Sequence, residues 1–204
     1  MGSPWHGHSN GMACPGRPIV RLPTLHRRAR RQCRWLAFID IDEFLFSPQV
    51  TDIRNILSRY VALPGIAVWQ AIFGSGGHAT RPALPVTEAY LKRAPLSQTS
   101  VKTIANPRLI YKVGIHVSKY WSGDSLDTLR RPIRRGLSPV LDVLRINHYW
   151  SRSIEDLRTK IQRGDASTPA KRDAAWHLDF ENSLNAEIDA SIIPIARSIR
   201  RASA

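Results

Sequence analysis

The chain has 204 residues, 43% of them hydrophobic, enough for one domain with a substantial core, and a formal net charge of +14. Two cysteines, Cys14 and Cys33, make no disulfide framework, so a reducing compartment is expected. The basic excess suits nucleic acid, anionic lipid or a phosphorylated ligand, but no zinc-finger, RRM or helix-turn-helix pattern accompanies it, and no specific nucleic-acid partner is expected.

No apolar run approaches the ~18 residues of a membrane span, and the N-terminus lacks the apolar core of a signal peptide. The expectation is a cytoplasmic protein, with peripheral contact to an anionic membrane as its alternative. Residues 1–34 carry seven arginines and no acid, half of the net charge. They are expected to form a basic tail, flexible over 1–24 where Gly, Pro, His and Ser dominate, with a short arginine-rich helix over 25–34. His6 and His8 in that tail are read as inert.

Trp35 to Ile39 are apolar without alternation, as in a strand buried on both faces, and the run stops at Asp40, Asp42 and Glu43. Working groups of open α/β sheets gather at such strand ends. On a strand Asp40 and Asp42 point the same way, roughly 6.5 Å apart, and Glu43 points elsewhere. Two adjacent carboxylates favour a hard divalent cation, magnesium or manganese rather than zinc. The other reading is that the acids merely open a loop before a helix.

Ser47-Pro48 then starts a predicted helix with Val50, Ile53, Ile56, Leu57 and Tyr60 on its core face, stopped by Pro64-Gly65. Ile66 to Phe73 reads as the next strand. Gly74-Ser75-Gly76-Gly77-His78 follows, with three glycines that permit close backbone approach to a sugar or phosphate; the alternative is a tight turn. Glu88 is a carboxylate within a helical stretch, either a general base or a solvated acid. Val101 to Ile104 is a strand carrying Lys102, for which a surface position facing solvent is one reading. Arg108 to His116 is predicted as a strand, and 121–140 as a surface loop containing Asp124, the second carboxylate considered for catalysis.

Leu141 to Trp150 reads as a buried strand carrying His148. Ser153 and Asp156 then form a capping-box variant for a helix in which Asp156 and Lys160 pair and Gly164 is the stop. Residues 165–204 form a C-terminal extension of one or two helices, with Arg197, Arg200 and Arg201 on a basic end that suits lipid contact or solvent.

The motif Trp35-x-x-Phe38-Ile39-Asp40-Ile41-Asp42-Glu43-Phe44-Leu45 resembles the signature of glycosyltransferase family 92 and of related bacterial GT-A transferases of the family 2 type. Phe73-Gly74-Ser75-Gly76-Gly77-His78 resembles the family's Phe-Gly-Ser-Ser-Gly-His. Val101-Lys102-Thr103-Ile104 is similar to its Val-Lys-Ser-Ile, and Asn147-His148-Tyr149-Trp150 with Lys160 and Gly164 to its C-terminal signature. These stretches span residues 35–164, taken as the catalytic core.

The resemblance implies a partial GT-A α/β fold, a mixed sheet flanked by helices. Only 39 residues precede Asp40, so the first nucleotide-binding units are expected to be largely missing. It implies an inverting transfer of a hexose, galactose first among them, from a nucleotide-diphosphate sugar to a saccharide acceptor. Asp40 and Asp42 would hold Mn2+ or Mg2+, with His148 and then His116 as further ligands. Gly74, Ser75, Gly76, Gly77, His78 and Lys102 would bind substrate, and Glu88 or Asp124 would serve catalysis.

Two rivals stand beside this reading. A strand ending in Asp-x-Asp also opens the haloacid-dehalogenase phosphohydrolases, but those want Thr or Val where Phe44 stands and a later Asp-Asp pair that is absent. The other is a catalytically inactive remnant with at most saccharide binding.

Overall fold

In the computed structural model, residues 22–97, 99–163 and 173–202 are described. The tail positions His6, His8 and Cys14, and the expected helix stop Gly164, lie outside them.

The centre of the fold is β3 (Gly65–Phe73), all nine of whose residues are buried. Along one side β3 pairs antiparallel with β5 (Val101–Ala105), then through Phe73 with β4 (Lys92–Arg93). On its other side β8 (Arg145–Tyr149) runs parallel to it, and β2 (Glu43–Phe46) closes that flank antiparallel to β8. β1 (Leu36–Ala37) is the edge beyond β5, and β9 (Glu187–Ile188) extends β4. The result is the expected α/β architecture, a curled mixed sheet flanked by helices.

The strand expected at the centre is thus an edge. Leu36 and Ala37 are only half-buried, and Ile39 and Asp40 are exposed. An apolar run of five residues does not say how many neighbours the strand has, and β3, with nine, takes the place that buries both faces. The chain leaves β1 on one edge and enters β2 on the other within residues 38–42, a reach of about 20 Å.

Helices and loops cover the two faces. Ile66 and Val68 of β3 pack with Ile104, Leu144 and Ile146 against Ile56, Leu57 and Tyr60. Those last three belong to α2 (Arg54–Leu57) and the 3-10 turn Ser58–Tyr60. The expected apolar stripe is therefore core, but no helix begins at Ser47, whose hydroxyl instead accepts from Gln49 N at 3.1 Å in a local turn. Ala67 and Trp69, pointing the other way, meet Ile133, Leu137, Val140 and Leu141 of the long loop.

The arginine-rich helix α1 runs from Leu22 to Gln32. The stretch expected as a strand over 108–116 is a short hairpin, β6 (Ile110–Lys112) with β7 (Lys119–Tyr120), and His116 sits in its turn. Between β3 and β4 in the chain lies α3 (Val86–Ala89), a single turn. After β8, α4 (Ile154–Arg163) begins as expected: Ser153 Oγ accepts from Asp156 N at 3.1 Å and donates to its carboxylate at 3.0 Å. Asp156 then pairs with Arg81 and Arg152 rather than with Lys160, which turns back toward the sheet. The end of the chain forms α5 (Ala174–Ser183) and α6 (Ile193–Ala202).

Gly65 starts β3 where a Cβ would collide with Tyr120 Oη and Ser125 Oγ, which hydrogen-bond each other at 2.7 Å. Gly65→Ala is expected to lower stability by about 1–3 kcal/mol, the cost of overpacking, measured as a shift of the urea midpoint.

Candidate functional site

The face of the sheet that carries the Ile66 and Val68 core changes character toward the C-terminal end of β3. Cross-strand register places Lys102 opposite Val68, His148 opposite Ile72, and Glu43 opposite His148. Gln70, two residues from Val68, shares their face. Four strands therefore contribute one polar side chain each to a single cluster.

Glu43 is its floor. Its side chain is 1% exposed, as is that of Lys102, and the two heads lie 3.3 Å apart. Gln70 Nε2 donates to Glu43 Oε1 at 2.6 Å, and the Asp40 amide donates to Glu43 Oε2 at 3.0 Å. Lys102 Nζ also donates to Asp40 Oδ2 at 2.8 Å, so one buried ammonium holds two carboxylates. Lys102 thus faces the acids, not solvent.

Asp40 and Asp42 do not point the same way. Glu43 N donates to Asp40 O at 3.0 Å, closing a turn over residues 40–43, so the strand alternation that would align the two acids does not apply. Asp40, 58% exposed, goes to Lys102, while Asp42 goes to the far side of the cluster. There His148 lies between two carboxylates, Nδ1 at 3.7 Å from Glu43 Oε1 and Nε2 at 3.7 Å from Asp42 Oδ1. Glu43, expected to point away, is in fact the residue that joins the two halves.

Lys160 Nζ stands 3.9 Å from Asp42 Oδ2, donates to Trp150 O at 2.9 Å and lies over the Trp150 ring. Burial pushes the Asp42 carboxyl upward, but the hydrogen bond and charge of His148, with Lys160, outweigh it and hold the carboxyl below its ordinary value. His116 reaches the same end of the sheet from the hairpin turn, Nδ1 3.3 Å from Val101 O. Burial, with the Lys102 charge, pushes its pKa down, so it is neutral at pH 7.

The glycine loop lies beyond the end of β3. Its amides are turned to protein acceptors: Ser75 N donates to Glu181 Oε1 at 2.8 Å, Gly76 N to Asn185 Oδ1 at 2.7 Å, and Gly77 N to Ser75 Oγ at 3.1 Å. Gly76 and Gly77 have positive φ, 63° and 94°, and Gly74 leaves no room for a Cβ beside Asn185. His78 sits with its ring edge-on to Tyr90 and Nε2 3.1 Å from Ala89 O.

The two carboxylates considered for catalysis lie apart from the cluster. Glu88 forms ion pairs with Arg197 and Arg200 of α6. Asp124 is exposed next to Tyr120, whose hydroxyl abuts Gly65 at the start of β3. Seven strand residues, about 23 Å, separate Gly65 from Ile72 beside His148, so Asp124 cannot serve the same reaction centre as the acids.

Among the described residues no three His, Cys, Asp or Glu side chains converge as a metal ion requires. Asp40 and Asp42 diverge, and lysine ammoniums stand beside both. As arranged, the pair does not fit a divalent cation.

Sequence reasoning missed Gln70, Glu181 and Asn185 as parts of this region, and gave Glu43, one of the strand-end acids, and Lys160, part of the last motif, no role in it. Gln70 carried a signal: it is the one polar side chain in the otherwise apolar run from Gly65 to Phe73. The others depended on contacts between distant segments.

The sequence profile of glycosyltransferase family 92 matches residues 26–138, more than half of the chain. A glycosyltransferase family 92 protein of Oryza sativa subsp. japonica is 37% identical over 90 residues, which cover 41% of this chain and 15% of that protein. One from Ricinus communis is 27% identical over 162 residues, 78% of this chain and 26% of its own. The chain therefore spans about a quarter or less of the length of these relatives.

Proposed function

Because this chain belongs to glycosyltransferase family 92, we propose that the cluster around Glu43 and His148 transfers a hexose from a nucleotide-diphosphate sugar to a saccharide acceptor. Galactose is the first donor sugar to try. The observation that carries the reading is His148 set between the carboxylates of Asp42 and Glu43, each 3.7 Å from a different ring nitrogen. The two carboxylates orient the imidazole and offset the positive charge it gains on taking a proton, which makes His148 the base of choice over Glu88, engaged by two arginines.

The step balances as a single displacement. The acceptor hydroxyl gives its proton to the His148 imidazole, its oxygen bonds to the anomeric carbon, and the bond from that carbon to the diphosphate oxygen breaks. One displacement inverts the anomeric configuration. Lys160, near Asp42 and 30% exposed, supplies positive charge for the diphosphate as it leaves. Lys102 and Gln70 hold Glu43 in place. Among the described residues the donors do not form a cage for manganese or magnesium.

The experiment is transfer of labelled hexose from nucleotide-diphosphate donors to a panel of oligosaccharides by the full chain, with manganese or with chelator. His148→Gln is expected to lower kcat by about 100-fold or more with KM little changed, the size typical of losing a general base. Transfer that survives this substitution removes His148 from the mechanism. A folded wild type that binds oligosaccharide without transferring sugar supports binding alone.

A further inference from the structure

Helix α1 has two unlike sides. His26 and Ala29 are buried, and His26 Nε2 lies 2.7 Å from Pro107 O, which fixes the helix to the body of the protein. Arg27, Arg28, Arg30 and Arg31 are exposed, and none of them has a carboxylate within ion-pair reach among the described residues. Together with Arg108 and Gln32 they line an open cleft of about 800 Å³. Five guanidiniums around one cleft repel each other, and an anionic surface relieves that repulsion.

The basic patch continues into an aromatic one. Leu109 follows Arg108 and accepts from Trp121 N at 3.0 Å. Trp121 is 73% and Tyr111 50% exposed, with ring centroids 5.3 Å apart on the outer face of the β6–β7 hairpin, and Lys112 and Lys119 flank them. Tryptophan and tyrosine beside lysine and arginine are the side chains that settle at a lipid headgroup layer, the rings below the charges. His26 and Ala29 of α1 face the protein, and the large exposed aromatic rings lie on the hairpin, so insertion falls to the hairpin while the helix supplies charge.

We propose that this face, α1 with the Arg108 turn and the Tyr111–Trp121 pair, docks the protein on an anionic phospholipid surface. The Arg108 turn follows the end of β5 away from Val101, whose carbonyl His116 meets, roughly 20 Å further along the chain. The inference does not depend on the transfer chemistry.

The test is co-sedimentation of the full chain with vesicles of phosphatidylcholine alone or with about 30% phosphatidylserine, in about 0.1 M salt. The expected result is binding to the anionic vesicles only. Changing Arg27, Arg28, Arg30 and Arg31 together to Gln weakens it about 100-fold, and Trp121→Ser weakens the part that persists at high salt. A charge-matched control changes Arg134, Arg135, Arg158 and Arg163, exposed elsewhere, to Gln and keeps most of the binding. Equal loss in the control, which would mean net charge alone, overturns the proposal. So does an absence of binding to anionic vesicles, or single-stranded RNA bound in their place with the same sensitivity to the α1 variant.

Discussion

Lys102→Ala is expected to lower the stability of the protein by about 3–5 kcal/mol, the range for removing one partner of a buried ion pair. Lys102 and Glu43 are each 1% exposed at the side chain, and with the ammonium gone the Glu43 carboxylate keeps only Gln70 Nε2 and the Asp40 amide as donors. A buried carboxylate so placed becomes protonated or admits water, and either change loosens the turn over 40–43 that carries Asp42. The double variant Lys102→Met, Glu43→Gln removes both charges together and is expected to recover more than half of the loss. Urea unfolding of the wild type, both single variants and the double variant measures the coupling; an alanine effect below about 1 kcal/mol would show that Glu43 is not held by this lysine.

The second large effect is expected at Asp189. Its carboxylate accepts from Arg145 at 2.7 Å, from Arg93 at 3.0 Å and from Ser191 Oγ at 2.6 Å, and so ties β8, β4 and the segment after β9 together. Asp189→Asn keeps the shape but leaves two guanidiniums, 6% and 12% exposed at the side chain, without this counter-charge; only Arg93 retains another, Glu187. A loss of about 3–5 kcal/mol at pH 7 follows.

The same carboxylate gives the loss a pH signature. Burial pushes its pKa up, but Ser191 and Arg145 prevail and bring it from 3.8 to about 2. A folded pKa below the unfolded one means that the contribution is complete above the unfolded value and fades as pH falls from about 4 toward 2. Stability differences between wild type and Asp189→Asn, measured by urea unfolding at pH 7, 4 and 3, are expected to shrink in that order. A difference independent of pH would assign the effect to lost packing instead.

What was legible along the chain was whatever depends on local pattern. The apolar run ending at Phe73, broken by Gln70, the core stripe of Ile56, Leu57 and Tyr60, the Ser153–Asp156 cap and the arginine-rich helix all come from spacing and residue type, and the structure has each of them. The motifs around Asp42, Gly76, Lys102 and His148 likewise pointed to the right family. Local pattern also misled where two arrangements share it: Trp35 to Ile39 is as apolar as a central strand but has one neighbour. Arg108 to His116 reads as a strand but folds back as a hairpin.

The sequence by itself determined that there would be a mixed α/β domain with acids after its first strand. Tertiary structure alone decided which charges meet, because sheet register brings Lys102, Gln70, His148 and Glu43 onto one face from positions as much as 105 residues apart. Coulomb attraction and hydrogen bonding fall off over a few ångströms, and chain spacing carries no record of that distance until the strands have paired.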